Sequence, residues 1–229
     1  MNIIYEDIAP FLETGSPVLV PFLVWESDKG LEVETYSSLK DHISLVLEKH
    51  GSSLFSKKAI DYLDFIIEPY FNRLGYYRES VGLYKWFLTL EPSENYIETT
   101  KADTRSAVRL EREHLSLENL TTFDLCELLD KELCSYICIE DNKVVAIATV
   151  NDNVNETRVL EATVECAPRY RRRGYALAAL VSLTKFVLSM GKSVSYVSSK
   201  YNRASIKLAK KANFRQTGRF YAYTVFKDE

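Results

Sequence analysis

The stretch that most constrains this chain runs from Glu165 and Cys166 through Pro168 and Tyr170 to three successive arginines, Arg171, Arg172 and Arg173. It passes directly into Gly174, Tyr175 and Ala176. Arg158 to Cys166, just before it, reads as a strand. After it, Leu177, Leu180, Val181, Thr184, Val187 and Leu188 recur at helical spacing, so Gly174 to Met190 reads as a helix that Gly191 closes. A strand and a helix joined through arginines suit a phosphate group. The first N–H groups of a helix lack intrahelical partners, and the helix dipole places partial positive charge there. Gly174 and Ala176 carry little bulk, so phosphate oxygens can approach the backbone. The same residues also suit an ordinary surface turn with a solvated basic run, and this stretch alone leaves both readings open.

Charge is distributed unevenly. Residues 1–94 hold 8 basic and 15 acidic residues, whereas residues 95–229 hold 21 and 17. Between Cys166 and Lys227 there are fourteen basic residues and no Asp or Glu. Long acid-free stretches face polyanions, either a nucleotide cofactor or a nucleic acid.

The chain before residue 95 reads as a compact α/β or mostly helical unit. Val18 to Trp25 is strand-like. Ser37 to His50 carries Leu39, Ile43, Val46 and Leu47 at helical spacing. Ala59 to Leu74 does the same with Ile60, Leu63, Ile67 and Phe71, with Pro69 inside it. Val81 to Leu90 is an aromatic-rich strand, and the turn cluster Glu91 to Asn95 marks a domain boundary. Beyond it, Ser106 to Glu111 reads as a strand and Leu117 to Leu129 as one or two short helices. Ser135 to Glu140 and Lys143 to Val150 form a hairpin across Asp141 and Asn142. After the central helix come a strand, Ser193 to Ser198, and a helix, Asn202 to Ala212, with Asn202 as its N-cap. Two closing strands follow, Phe214 to Arg219 and Phe220 to Phe226.

Several classes of function are set aside. Gly191, Lys192 and Ser193 imitate the end of a P-loop, but the glycine needed five positions earlier is Phe186, and a strand follows in place of a helix. There is no Gly-x-Ser-x-Gly elbow. The four cysteines, Cys126, Cys134, Cys138 and Cys166, form no Cys-x-x-Cys pair, and the three histidines lie far apart. The expectation is reduced, mostly buried thiols and no metal site. The start of the chain lacks a basic segment and an apolar core, and no apolar run is long enough to span a bilayer. A cytoplasmic protein without membrane association is expected.

The order of elements from Ser106 to Phe226 resembles the GNAT superfamily of acyl-CoA-dependent N-acetyltransferases. The family hallmark, Arg/Gln-x-x-Gly-x-Gly/Ala at the start of the central helix, corresponds here to Arg171-Arg172-Arg173-Gly174-Tyr175-Ala176. A second family pattern follows at the expected distance, as Asn202, Ser205, Leu208, Lys211, Asn213 and Phe214. The resemblance implies a mixed α/β (α+β) fold with a mostly antiparallel sheet flanked by helices over residues 95–229. A smaller α/β unit, residues 1–94, precedes it. That unit either shapes an acceptor pocket or is a degenerate half-repeat of the same fold, since helix–Gly75–Tyr76 echoes helix–Asn213–Phe214. Zwittermicin-resistance-type acetyltransferases also place an extra unit before such a domain.

The resemblance further implies acetyl-CoA as co-substrate, no metal, and a small-molecule or peptide amine as acceptor. The backbone of Arg171, Arg172, Arg173, Gly174, Tyr175 and Ala176 would hold the CoA diphosphate. The strand around Val164 and Cys166 would bind the pantetheine arm. Asn202 and Ser205 would lie near the pantetheine or thioester, and Lys207, Lys210 and Lys211 on the 3′-phosphate side. The acid-free half is then a CoA-binding half, and nucleic acid needs no separate mechanism. A homodimer is left open. On this reading Gly174→Val blocks CoA with little loss of fold.

The implied chemistry is direct attack of an amine on the thioester. A primary amine, with a pKa of about 10.4, must first lose a proton, so a base helps. Glu165 is the candidate base, and Tyr201 the leading proton donor, with Tyr175 and Tyr221 behind it. Two positions depart from the family pattern. Asn213 stands where glycine is usual, and Ala209 where many members carry a tyrosine that protonates the leaving thiolate. The Ala209 departure keeps a second function in play, a CoA-binding regulatory module without turnover. A nucleic-acid-binding protein is the third.

Overall fold

The computed structural model describes residues 2–13, 18–77, 86–96, 106–152 and 159–227. The chain divides into two compact units, one formed by residues 1–88 with 218–229 and the other by residues 89–217.

In the first unit the order is β1 (Asn2–Glu6), α1 (Ala9–Glu13), β2 (Val18–Ser27), β3 (Gly30–Tyr36), α2 (Lys40–His50), α3 (Lys57–Arg73) and β4 (Tyr76–Tyr77). The helices form where the apolar spacing predicts them. Ile43, Val46 and Leu47 of α2 are buried, as are Ile60, Leu63, Ile67 and Phe71 of α3. Ser56 caps α3, its hydroxyl accepting from the Ala59 N–H. Pro69 sits inside α3. These faces join Phe22, Val24, Val33, Tyr221, Tyr223 and Val225 in one apolar cluster.

The second unit holds β5 (Trp86–Pro92), β6 (Val108–Arg109), β7 (Glu118–Asn119), α4 (Leu125–Asp130), β8 (Ser135–Glu140), β9 (Lys143–Val150), β10 (Val159–Cys166), α5 (Tyr175–Ser189), β11 (Ser193–Ser199), α6 (Arg203–Lys211) and the start of β12 (Phe214–Lys227). Its strand order is β12-β5-β11-β10-β9-β8-β6, with β7 beside β9. The pairs β6–β8, β8–β9 and β9–β10 are antiparallel and β10–β11 is parallel. The fold is therefore the expected mixed α/β arrangement with a mostly antiparallel sheet flanked by helices. Helix α5 packs on β8, β9, β10 and β11. Leu125 and Leu128 of α4 cluster with Leu110, Ile137, Val144 and Ile147. Ile137 and Cys138 are neighbours on β8 and point to opposite faces. Since the Cys138 thiol donates to the Tyr175 carbonyl of α5 at 3.3 Å, α4 and α5 cover opposite faces of the sheet.

Three sequence expectations change. The strand expected over Ser106 to Glu111 is only Val108–Arg109. Glu111 instead caps a 3-10 helix, Arg112–Ser116, by a reciprocal pair of bonds with His114. Helix formation expected from Leu117 begins only at Leu125. Asp124 caps it by accepting from the Cys126 and Glu127 N–H groups, and Glu118–Asn119 before it pairs with β9. The two closing strands are one continuous strand, Phe214–Lys227. Gly218 within it faces Ser27, and a Cβ there would lie 2.8 Å from the Glu26 carbonyl oxygen, so the glycine permits close strand approach. Gly218–Glu229 groups with the first unit. Residues 81–85 of the expected aromatic strand, and Arg158, lie outside the described residues.

Candidate active site

Among the described residues, strands β10 and β11 pair over three positions: Val159 with Ser193, Leu160 with Val194, and Glu161 with Ser195. Beyond Glu161, β10 continues to Cys166 paired with β9, while β11 continues to Ser199. The two parallel strands thus part and leave a cleft between their facing edges. Glu161 uses its backbone toward β9: its N–H donates to Asn151 Oδ1 and its C=O accepts from the Asn151 N–H, both at 3.0 Å. Backbone direction alternates along a strand, so Thr163 and Glu165 also bond toward β9. The N–H and C=O groups of Ala162, Val164 and Cys166 face the cleft. The Cys166 carbonyl accepts from Arg171 Nε at 3.1 Å. Val164 is therefore well placed to meet an extended ligand running along the strand.

At the end of β10 the chain makes a 3-10 turn, Pro168–Tyr170, and enters α5. Arg172 adopts φ +62° and Gly174 φ +94°, and among the described residues no side chain caps the helix. Alternating backbone handedness turns successive N–H groups toward one concavity, the arrangement that cradles anions. The three arginines separate. Arg171 folds back onto Cys166, the Arg173 guanidinium lies 5.5 Å from the centre of the Tyr170 ring, and Arg172 is exposed. Tyr175 is buried edge-on against Tyr170, with ring centres 6.0 Å apart. Burial pushes the Cys166 thiol up, against the opposing influence of Arg171 and of the Ala176 backbone N–H. Cys166, Arg171, Gly174 and Ala176 are thus brought together.

Asn202 caps α6 as expected. Its Oδ1 accepts from the Ser205 N–H at 3.1 Å, which leaves the amide N–H groups as that side chain's donors. The Ser205 hydroxyl lies 2.7 Å from the Tyr196 hydroxyl. Ala209, one turn further along α6, is fully buried. Arg203, Ile206, Lys207, Lys210 and Lys211 line a shallow depression of about 400 Å³ on the exposed side of the helix.

Glu165 stands on the other face of the sheet. It is in register with Ile147, which pairs with Ile137 in the α4 cluster. Its Oε2 accepts from the Thr122 N–H at 3.0 Å and the Thr122 hydroxyl at 2.7 Å, so the carboxylate is held in one orientation. Tyr201 is 55% exposed, with Lys200 Nζ 4.9 Å above its ring. Of the other tyrosines considered, Tyr175 and Tyr221 are buried, Tyr221 within the core of the first unit. Sequence reasoning passed over three residues. Thr122 lies 43 positions from its partner and gives no local signal. Glu161, four residues before Glu165 on the same strand face, could have been found by period-two spacing, and burial raises its carboxyl. Tyr196 was lost among fifteen tyrosines.

A model of the acetyltransferase (GNAT) family matches residues 83–214, more than half of the chain. The chain belongs to the GNAT family. A GNAT-family acetyltransferase from Colwellia psychrerythraea shares the fold at 13% identity, with a TM-score of 0.51 over 92% of this chain and 82% of that one. A GCN5-related N-acetyltransferase-like protein from Streptococcus suis is 15% identical, with a TM-score of 0.44 over 96% and 79%. The aminoglycoside N-acetyltransferase AAC(6')-Iy, solved with CoA, is 21% identical, with a TM-score of 0.38 over 49% of this chain and 92% of that one. No curated protein matches. Family membership gives the parted strands and the uncapped α5 a common context, that of an acyl-CoA-dependent acetyltransferase. Among the described residues no helix is long and apolar enough to cross a membrane, and no three His, Cys, Asp or Glu side chains are grouped to hold a metal.

Proposed function

We propose that this chain transfers an acetyl group from acetyl-CoA to an amine by direct attack, and that residues 95–229 carry the reaction. The observation that carries this reading is the parting of β10 and β11 after Glu161, which opens beside the anion-cradling entry to α5. The diphosphate lies on the N–H groups around Gly174, Tyr175 and Ala176. The pantetheine arm runs along Val164, and Asn202 meets it with its amide N–H groups. Glu165, fixed by Thr122, takes the proton that the amine loses before attack, directly or through water. The deciding experiment incubates the purified chain with acetyl-CoA and a panel of polyamines, aminoglycosides and peptides with free N-termini, and reads thiol release. Release with any amine supports the reading. CoA binding without release from any of them leaves the regulatory module, which the buried Ala209 favours. Failure to bind CoA, with salt-dependent binding to nucleic acid, overturns both.

Asn202 separates capping from cofactor contact. Asn202→Ala should lower stability by about 0.5–2 kcal/mol, because the Ser205 N–H loses its acceptor. Asn202→Asp caps equally well but brings negative charge and no amide hydrogen. It should unfold at the wild-type denaturant midpoint yet show a raised KM for acetyl-CoA. A wild-type KM in the Asp variant would reduce Asn202 to a helix cap.

A further inference from the structure

Ala209 cannot donate a proton, yet a thiolate leaving the cleft needs one or must depart as the anion. The described residues offer a hydroxyl pair one helical turn from Ala209. Ser205 and Ala209 are four apart on α6 and share a face. Tyr196 is the first residue of β11 beyond the three-pair ladder with β10, so it stands where the cleft begins. Its side chain is 5% exposed, packs edge-on to Phe214, and places its hydroxyl 2.7 Å from Ser205 Oγ. Helix α6, which carries Ser205, contacts α5 and β11. Glu165 belongs to the opposite, α4-covered face. An acyl group in the cleft therefore has a carboxylate on one side of the sheet and a pair of hydroxyls on the other. That division suits direct attack, because the proton shed by the amine and the proton gained by the sulfur are then handled by separate groups.

We propose that Ser205 and Tyr196 form a two-hydroxyl relay that protonates the departing thiolate. The proposal rests on the acetyltransfer reading given above. The amine lone pair forms the new C–N bond, and the C–S bond breaks with its electron pair going to sulfur. The Ser205 hydroxyl proton moves to sulfur, the Tyr196 hydroxyl proton moves to Ser205 Oγ, and solvent returns a proton to the phenolate. The proton shed by the attacking nitrogen goes to Glu165 and then to solvent, so the products are the amide and the CoA thiol. Burial holds the Tyr196 phenol above its usual value, opposed by its bond to Ser205, so the phenol is protonated at neutral pH.

CoA itself is the first probe, because it needs no acceptor. Ultraviolet titration of the bound thiol should give a pKa below the ordinary thiol value of about 8.5. In Tyr196→Phe and Ser205→Ala that value should return to the ordinary range. The second measurement is steady-state thiol release from acetyl-CoA with the best amine of the panel. Tyr196→Phe, which keeps the ring against Phe214, should lose about a hundredfold in kcat with KM unchanged, and Ser205→Thr, which keeps the hydroxyl, should retain most of the activity. Wild-type kcat and an unchanged bound-thiol pKa in Tyr196→Phe would overturn the relay. So would a raised KM with kcat intact, which would make the pair a binding contact only. If wild-type protein binds CoA but releases no thiol with any amine, the acetyltransfer reading fails first and the relay falls with it.

Discussion

Gly174→Val should abolish CoA binding and weaken the fold together. The sequence alone suggested that the fold would survive the change almost untouched. The backbone says otherwise: Gly174 has φ +94°, in the left-handed region. An ordinary L-residue there costs roughly 1–2 kcal/mol, and a β-branched one is less tolerated still. The valine side chain would also stand over the N–H groups of Tyr175 and Ala176, the proposed seat of the diphosphate. Charge-assisted hydrogen bonds contribute about 1.5–3 kcal/mol each. Losing two of them weakens affinity by about a hundredfold or more. Calorimetry with CoA reads the binding and denaturant titration reads the stability. Gly174→Ala separates the two effects, since it carries the backbone strain with much less bulk. An unchanged dissociation constant in the valine variant would move the diphosphate away from this loop.

Glu165→Gln should lower kcat/KM by about 10²- to 10⁴-fold, the usual contribution of a positioned base. The substitution is nearly isosteric. The glutamine carbonyl oxygen can still accept from the Thr122 N–H and hydroxyl, so stability should change little. What is lost is the capacity to take a proton. Thr122→Val, which removes the hydroxyl but keeps the backbone N–H, should have a smaller effect, roughly tenfold. A loss below tenfold in Glu165→Gln would point to Glu161, the next carboxylate on that face of β10. Its carboxyl is raised by burial and so is better matched to work near neutral pH.

These two residues also mark how far the sequence could be read. The Gly174 loop was legible because its parts are adjacent: arginines, a glycine and a helix start, all within six positions. Asn202 was legible for the same reason, since a cap and its N–H partner lie three residues apart. The left-handed angle at Gly174 was not anticipated, although a glycine at that position allowed it. The orientation of Glu165 depends on Thr122, which reaches it through tertiary folding alone. The cleft depends on where the β10–β11 ladder stops, a property of pairing register that no single strand displays. Tyr196 fell between these cases. Val194, Tyr196 and Ser198 alternate as inward residues of β11, and Ser205 follows at the third position of the next helix. That pattern was present, but it acquired meaning only when the two hydroxyls met.

The continuity of β12 bears on how this chain can be synthesised. Its late residues pair with β2 and β4: Val225 lies opposite Leu19, and Lys227 opposite Tyr76. The first unit therefore waits for a strand that leaves the ribosome well over a hundred residues after β4. At ordinary elongation rates that interval is on the order of ten seconds. During it the Leu19, Phe22 and Val24 side chains lack Tyr221, Tyr223 and Val225 in their cluster. Pairings so distant in sequence form slowly. The first unit, translated before β12, is thus among the last parts to reach its native state, and fragments ending near residue 94 should aggregate, whereas the chain through β12 should fold.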